Sequence, residues 1–174
     1  MQQRLRYFAW ESIKWLPVAL VVRTEFGCLH AVHGPSMMPT LEGSPNHHDY
    51  VFVRRQRTYH IERLKRGQVV TLLSPTEPRK VLVKRIIGMP GDMVIPRDRT
   101  TKRNGVTVPQ GHVWVEGDNE NGSTDSNQFG PVPAGLIWGK VKCICFPPGR
   151  WSWVSALEKQ HPRVHFNKQQ YISV

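Results

Sequence analysis

From residue 27 onward, short runs of β-branched and aromatic residues alternate with clusters of glycine, proline, asparagine and aspartate. Turn-forming clusters at this spacing interrupt a helix before it becomes stable, whereas short strands fit between them. We therefore predict a mainly β fold that is compact and antiparallel. The predicted strands are residues 49–53, 68–73, 81–87, 105–108, 112–115 and 136–146.

The chain length of 174 residues is typical of one ordinary domain, and a hydrophobic content of 39% supports a modest core. We predict three parts. Residues 1–26 form a basic segment with a membrane anchor helix, residues 27–157 form the folded domain, and residues 158–174 form a loosely ordered polar tail.

The N-terminal segment contains an apolar stretch at residues 15–22. Trp10, Ile13, Leu16 and Leu20 recur there at helical spacing. The stretch is shorter than the roughly 18 apolar residues that are typical of a membrane-spanning helix. The pattern predicts a partly amphipathic anchor helix, with a targeting signal or an ordinary surface helix as alternatives.

The formal net charge is +11, from 24 basic and 13 acidic residues. This charge favours nucleic acid or an anionic membrane surface as a partner and does not choose between them. The three cysteines lack zinc-site spacing, although Cys143 and Cys145 are predicted to share one strand face. Motifs of the common zinc proteases, α/β-hydrolases and nucleotide-binding enzymes are absent, so we expect no metal and no cofactor.

One candidate for chemistry is a serine in an apolar setting. Ser36 lies between Pro35 and Pro39 in the block GPSMMPTL, residues 34–41. A serine in a turn or at a helix N-cap would account for this pattern without any catalytic role.

The second candidate is a lysine inside a predicted strand. Alternation along residues 81–87 places Lys84 on the same face as Leu82 and Ile86. Such a lysine either extends its amine to water or becomes buried and loses its proton. Holding it neutral near pH 7 requires a pKa lowered by about 3 units, or about 4 kcal/mol of desolvation. A neutral lysine that contacts the Ser36 hydroxyl would activate it without any histidine.

Four blocks follow one another along the chain: residues 34–41 (GPSMMPTL), 49–53 (DYVFV), 84–92 (KRIIGMPGD) and 117–126 (GDNENGSTDS). In content and order they resemble the nucleophile box, the following strand, the lysine box and the final active-site box of the signal peptidase I family. The resemblance covers residues 31–151. It implies the compact antiparallel β fold of that family, preceded by an N-terminal anchor helix.

The resemblance also implies residue roles. Ser36 would be the nucleophile, Lys84 the general base, and Ser123 the hydroxyl that orients the lysine amine. The oxyanion would be bound by the Ser36 N–H and a second donor. Some relatives carry a serine two residues before the nucleophile, where this chain has Gly34. The supporting residues implied are Asp125, Gly117, Asp118 and Asn119.

One departure indicates a subgroup. Many members, including relatives that resemble one of the two subunits of the mitochondrial inner membrane protease, continue Asp-Ser-Arg, whereas this chain reads Asp125-Ser126-Asn127, as relatives that resemble the second subunit do. The resemblance therefore implies a membrane-anchored serine endopeptidase that removes sorting peptides from precursor proteins, with its catalytic domain in the intermembrane space. It also implies a heterodimer with the other inner membrane protease subunit and no binding of nucleic acid. The alternative from composition alone is a basic β-domain that binds nucleic acid.

Overall fold

The computed structural model describes residues 10–11, 13–17, 27–44, 47–55, 61–97, 105–156 and 162–165. A large antiparallel sheet forms its body, with the strand order β1-β4-β11-β5-β6-β9-β10 and with β12 paired to β11. The strands of this sheet are β1 (Cys28–Ala31), β4 (Tyr50–Arg55), β5 (Val69–Leu73), β6 (Val81–Gly88), β9 (His112–Glu116), β10 (Val132–Pro133), β11 (Ile137–Phe146) and β12 (Ser152–Trp153).

Two small ribbons and several single turns complete the fold. The ribbons contain β2 (Gly43–Ser44), β3 (His47–His48), β7 (Met93–Val94), β8 (Val106–Thr107) and β13 (Val164–His165). The helical elements are 3-10 turns at Pro35–Met37, Ile61–Arg63, Glu120–Gly122, Ala134–Leu136 and Pro148–Arg150, and a four-residue helix at Ser126–Phe129. The prediction of a mainly antiparallel β fold is therefore confirmed.

Each of the six predicted strands has a counterpart whose ends lie within two residues of the predicted ends. The short strands β2, β3, β7, β10, β12 and β13 have two residues each and were not predicted. Two residues are too few to show an alternating pattern, so these strands depend on pairing with distant parts of the chain. The four-residue strand β1 was also missed.

Two hydrophobic clusters pack around the main sheet. One contains Val70, Leu72 and Ile86, with Leu82 packed against it. The other contains Val51 and Val53, with Val83 packed against it. Leu82 and Ile86 therefore share a cluster that Val83 does not, as the alternation along β6 predicts.

Strand β6 has a free edge along its first half. Its residues from Val81 to Arg85 pair with β5, but pairing with β9 begins only at Arg85. Strand β1 is paired to β4 alone. Within the described residues, β1 and the first half of β6 thus both present unpaired backbone groups.

The ends of the chain are described only in part. Residues 10–11 and 13–17 are helical, in agreement with the predicted helix, and Trp10 and Trp15 are exposed. Residues 18–22 of the apolar stretch lie outside the described residues. Among the described parts of the chain, no helix has the length and apolar content required to cross a bilayer.

The polar tail is described at residues 162–165, and these residues are packed. Val164 pairs with Val94 of β7 and is almost completely buried. Arg163 donates hydrogen bonds to the buried carboxylate of Glu116. The expectation of loose order is wrong for these four residues because a buried apolar side chain and a buried ion pair hold them; the rest of residues 158–174 lies outside the described residues.

Candidate active site

Ser36 lies in a tight turn between strands β1 and β2. Pro35–Met37 form one turn of 3-10 helix, and the side chain of Met37 is 1% exposed within the second hydrophobic cluster. Gly34 precedes the turn with a φ of 84°, a conformation that favours glycine. The buried Met37 therefore fixes the turn, while the Ser36 side chain next to it is partly exposed.

The segment that contains Gly117 and Asn119 packs against this turn and forms hydrogen bonds with it. The backbone N–H of Asn119 donates to the carbonyl of Ser36 at 3.1 Å, and the Asn119 side-chain amide donates to the carbonyl of Pro35 at 3.1 Å. Gly117 lies so close that a Cβ there would be 2.4 Å from the Ser36 carbonyl oxygen and 2.3 Å from Ser123 Oγ. Only glycine allows residue 117 to lie this close to Ser36 and Ser123, so packing restricts this position to glycine.

Lys84 lies in the middle of β6 and is 2% exposed. Its Nζ donates a hydrogen bond to Ser123 Oγ at 3.0 Å. The pKa of Lys84 is lowered from 10.5 to about 8, mainly by burial and also by the nearby cations Lys80 and Arg97. The charges of Asp125 and Asp118 act in the opposite direction. Because the amine is bonded to a neutral hydroxyl and not to a carboxylate, a substantial part of it is uncharged at mildly alkaline pH.

Ser123 connects Lys84 to a buried carboxylate. Its hydroxyl donates to Asp125 Oδ2 at 2.7 Å, and the backbone N–H of Gly117 donates to the same oxygen at 2.9 Å. The other oxygen, Oδ1, accepts from the backbone and the side chain of Asn127. Burial alone would raise the pKa of Asp125, but the hydrogen bonds from Gly117, Ser123 and Asn127 outweigh it and lower that pKa. Asp125 is therefore an ionised acceptor that orients Ser123.

Asp118 has a different partner. Its carboxylate accepts two hydrogen bonds from Arg85, at 2.8 Å from Nε and 2.6 Å from Nη2. The same guanidinium donates to the carbonyl of Gly67 at 2.7 Å. The bidentate ion pair between Asp118 and Arg85 thus attaches the turn that contains Gly117 and Asn119 to β6.

Ser36 and Lys84 line one groove with a volume of about 520 Å³. Residues 30–34 and residues 79–84 both line this groove. Since β1 and β6 are separated by three strands in the sheet, the sheet must curl to bring both to one groove. In the described part of the chain, no hydrogen bond joins the Ser36 hydroxyl to Lys84 Nζ.

The backbone N–H of Ser36 has no acceptor among the described residues. It is therefore available to an oxygen atom in the groove. Gly34 lies beside it with open space where a side chain would be, and no second donor is identified at this position. The described residues also contain no group of three or more histidines, cysteines or acids that could hold a metal ion.

The three cysteines have no disulfide partner in the described part of the chain. The Sγ atoms of Cys143 and Cys145 lie 3.7 Å apart, so the two side chains share one side of β11, as predicted.

Sequence reasoning missed Arg97 and the role of Asn127. Arg97 follows β7, and its Nη2 donates to the carbonyl of Gly117 at 2.9 Å. Its backbone N–H donates to the side-chain oxygen of Asn127 at 2.8 Å. Arg97 lies outside the four blocks and outside the predicted strands, so nothing in the sequence alone indicated that it approaches the site.

Comparison with known proteins identifies the family. The family described as signal peptidase, peptidase S26, matches residues 6–108 and 96–146. The chain is 40% identical over 142 residues to mitochondrial inner membrane protease subunit 2 of Danio rerio, an alignment that covers 78% of this chain and 73% of that protein. It is 38% identical to the subunit 2 protein of Saccharomyces cerevisiae, over 80% of both chains.

Similarity extends to the other subunit. Mitochondrial inner membrane protease subunit 1 of Schizosaccharomyces pombe is 36% identical over 146 residues, which cover 78% of this chain and 89% of that protein. Proteins named as either kind of subunit thus align with most of this chain. On the family match and these identities, the chain is a serine peptidase that belongs to the signal peptidase family, peptidase S26.

Proposed function

We propose that this chain is a Ser/Lys endopeptidase that removes sorting peptides from precursor proteins delivered to the mitochondrial intermembrane space. The observation that carries the proposal is the state of Lys84, a buried amine without a direct carboxylate partner that lines the same groove as Ser36. A buried lysine with a lowered pKa is suited to accept a proton near neutral pH.

In the proposed reaction, neutral Lys84 removes the proton from the Ser36 hydroxyl as Oγ attacks the scissile carbonyl. The ammonium of Lys84 then protonates the leaving amine, which departs and leaves an acyl ester on Ser36. Water attacks this ester while Lys84 accepts a proton from it. The bond between the acyl carbon and Ser36 Oγ then breaks, the Lys84 ammonium returns its proton to Ser36 Oγ, and the new carboxylic acid leaves with Lys84 neutral again. Catalytic hydrogen bonds are often long before substrate binds, which is consistent with the unformed Ser36–Lys84 contact.

The remaining site residues have supporting roles in this proposal. Ser123 orients the Lys84 amine through the 3.0 Å hydrogen bond, and Asp125 fixes the Ser123 hydroxyl. Asn119 holds the Ser36 turn, and Gly117 permits the close approach of the two segments. The Ser36 N–H would stabilise the oxyanion together with a second donor.

The free strand edges at the groove support binding of an extended peptide. A substrate strand between β1 and the first half of β6 would complete hydrogen bonds that neither strand makes with the described residues. Such a strand would pass Ser36 at one end of the groove. Binding through the backbone accepts many sequences, and specificity would come from the side chains that face the groove.

The names of the relatives support a location and a partner. Relatives are named as subunits of a mitochondrial inner membrane protease, and both subunit 1 and subunit 2 proteins match this chain. We infer a heterodimer with the other subunit at the inner membrane, with the groove facing the intermembrane space. The exposed residues Trp10 and Trp15 of the N-terminal helix would contact the membrane or the partner.

Cleavage of a peptide that spans a sorting-peptide junction tests the proposal. The kcat/KM of the wild-type protein should rise with pH to a plateau, with a midpoint near the lowered pKa of Lys84, about 8. Lys140 is a matched control, because burial and neighbouring cations lower its pKa to about 8 as well, but its side chain does not line the groove.

The two lysines give opposite expectations. Lys84→Arg should abolish cleavage, whereas Lys140→Arg should retain both the rate and the pH midpoint. Normal turnover by Lys84→Arg would refute the proposed mechanism. A shift of the pH midpoint in Lys140→Arg would mean that the pH dependence of cleavage reports on Lys140 and not on Lys84.

A further inference from the structure

A buried carboxylate lies at the end of β9, immediately before Gly117. Glu116 is 1% exposed and is bound by two guanidinium groups. Arg163 approaches at 2.5 and 3.1 Å, and Arg97 at 3.0 Å. The indole N–H of Trp114 donates to the same carboxylate at 2.8 Å. Glu116 is thus a fully paired anchor, and its charge is compensated without any contribution from the groove.

The other contacts of Arg97 are with residues of the candidate active site. Its Nη2 donates to the carbonyl of Gly117 at 2.9 Å, and its Nη1 lies 3.6 Å from Asp125 Oδ2. Its backbone N–H binds the Asn127 side chain that in turn donates to Asp125. The Arg97 side chain therefore contacts both Gly117, which packs against the Ser36 turn, and the Asp125 carboxylate, which orients Ser123.

We infer that Arg97, held in place by Glu116, is a positioning residue that fixes Gly117 and Asp125 and so sets the environment of Lys84. The inference rests on the proposed function for its catalytic consequence, because it assigns Arg97 to the arrangement that prepares Lys84 and Ser36. Arg97 does not reach the reacting atoms. It acts through Asp125 and Ser123.

Because Arg97 is charged, its loss should change the pKa of Lys84, an effect that a purely structural residue would not have. Burial has the largest effect on Lys84, and four charged groups also act on it: Asp125 and Asp118 favour its charged form, and Lys80 and Arg97 oppose it. Loss of the Arg97 charge removes its repulsion of the Lys84 ammonium. It also leaves the negative charge of Asp125 less compensated. Both changes raise the pKa of Lys84, so less neutral amine is present at a given pH.

The test compares neutral and charged variants at residue 97. In Arg97→Gln we expect the pKa of Lys84 to rise by about one unit and kcat to fall about tenfold with little change in KM. Arg97→Lys keeps the charge, so the pKa of Lys84 should stay close to that of the wild type while kcat is reduced. Arg97→Met, which keeps the aliphatic stem, replaces Arg97→Gln if that variant does not fold.

Arg66→Gln is the matched control. Arg66 forms a comparable ion pair with the buried carboxylate of Asp92, and its charge is not among the four with the largest effects on Lys84. This variant should lose stability and leave the titration of Lys84 unchanged. An equal shift in Arg66→Gln would show that any broken ion pair loosens the site, which would overturn the specific role of Arg97.

The titration of Lys84 is measured directly on the full chain by the ¹⁵N shift of its Nζ, assigned with Lys84→Met. This measurement does not depend on catalysis. An unchanged titration in the neutral variants at residue 97 overturns the inference and leaves the proposed function intact. Conversely, a shifted titration without any Lys84-dependent cleavage by the wild type refutes the proposed function and keeps the link between Arg97 and Lys84.

Discussion

Lys84 and Arg85 are neighbours in β6, and both are buried cations on opposite faces of the strand. Arg85 has a bidentate carboxylate partner in Asp118 and a further hydrogen bond to the Gly67 carbonyl. Lys84 has one hydrogen bond to a neutral hydroxyl, and the nearest carboxylate on that path lies beyond Ser123. The two residues are equally removed from water but differ in how their charge is compensated.

The difference separates structural support from chemistry. A buried guanidinium with a matched carboxylate remains charged and fixes two segments together. A buried amine without such a partner keeps a lowered pKa and remains able to accept a proton. Arg85 therefore holds the Asp118 turn in place, and Lys84, on the other face, is left available for the groove. Four predictions test this division of labour, in order of decreasing effect.

The largest effect is expected from removal of the amine. Lys84→Ala and Lys84→Arg should each reduce kcat by about 10³-fold or more, since one lacks the base and the other cannot lose its proton. Ser36→Ala should match them. Circular dichroism of the purified variants should be that of the wild type. Cleavage by Lys84→Arg within tenfold of the wild-type rate would contradict the assignment of Lys84 as the base.

The second effect concerns stability. Arg85→Gln leaves the largely buried Asp118 carboxylate without its partner and should cost about 3 to 5 kcal/mol in the free energy of unfolding, measured by urea denaturation. The double variant Arg85→Gln/Asp118→Asn should recover part of this loss because it removes the uncompensated charge. A cost below about 1 kcal/mol would mean that the pair behaves as an exposed ion pair.

The third effect has the opposite sign. The pKa of Lys84 in the folded protein, about 8, lies below 10.5, the ordinary value for lysine. The unfolded chain therefore binds more protons between these two values, and the free energy of unfolding of the wild type should rise with pH across that window. Below it, the full cost of burying the charge applies. Lys84→Met removes this cost and should stabilise the protein at pH 7 by up to about 3 kcal/mol.

The gain from Lys84→Met should shrink as the pH rises toward 10.5, the ordinary value for lysine. Urea denaturation at a series of pH values measures it. Parallel stability curves for the wild type and Lys84→Met would mean that Lys84 titrates in the folded protein as it does in the unfolded chain.

Sequence alone predicted six of the strands because alternation and turn clusters are local properties of the chain. It did not predict the curl of the sheet, which brings β1 and β6 to one groove although three strands separate them. Nor did it predict the docking of residues 163–165, because the carboxylate and the strand that hold them are distant in the sequence.

The site shows the same limit. The apolar neighbours of Lys84 left open whether its amine is buried or extends to water, and the resemblance to signal peptidases assigned Ser36, Lys84, Ser123 and Asp125 to one site. Their hydrogen bonds depend on geometry: Lys84 donates to Ser123, and no bond joins it to Ser36 among the described residues. Arg97 had no sequence signal because its role arises from ion pairs with Glu116 and Asp125 across the fold.

The smallest of the four effects concerns the link between Lys84 and Asp125. Ser123→Ala removes the hydroxyl that accepts from Lys84 and donates to Asp125, which costs about 1 to 3 kcal/mol, or about 10- to 100-fold in kcat. KM should change little, because the hydroxyl orients the base and does not line the groove. Ser126→Ala is the matched control, since the buried Ser126 hydroxyl accepts from the backbone of Val115 and should affect stability alone. Loss of kcat as complete as in Lys84→Ala would make Ser123 part of the reacting group, whereas an unchanged kcat would show that burial in β6 is sufficient to orient Lys84.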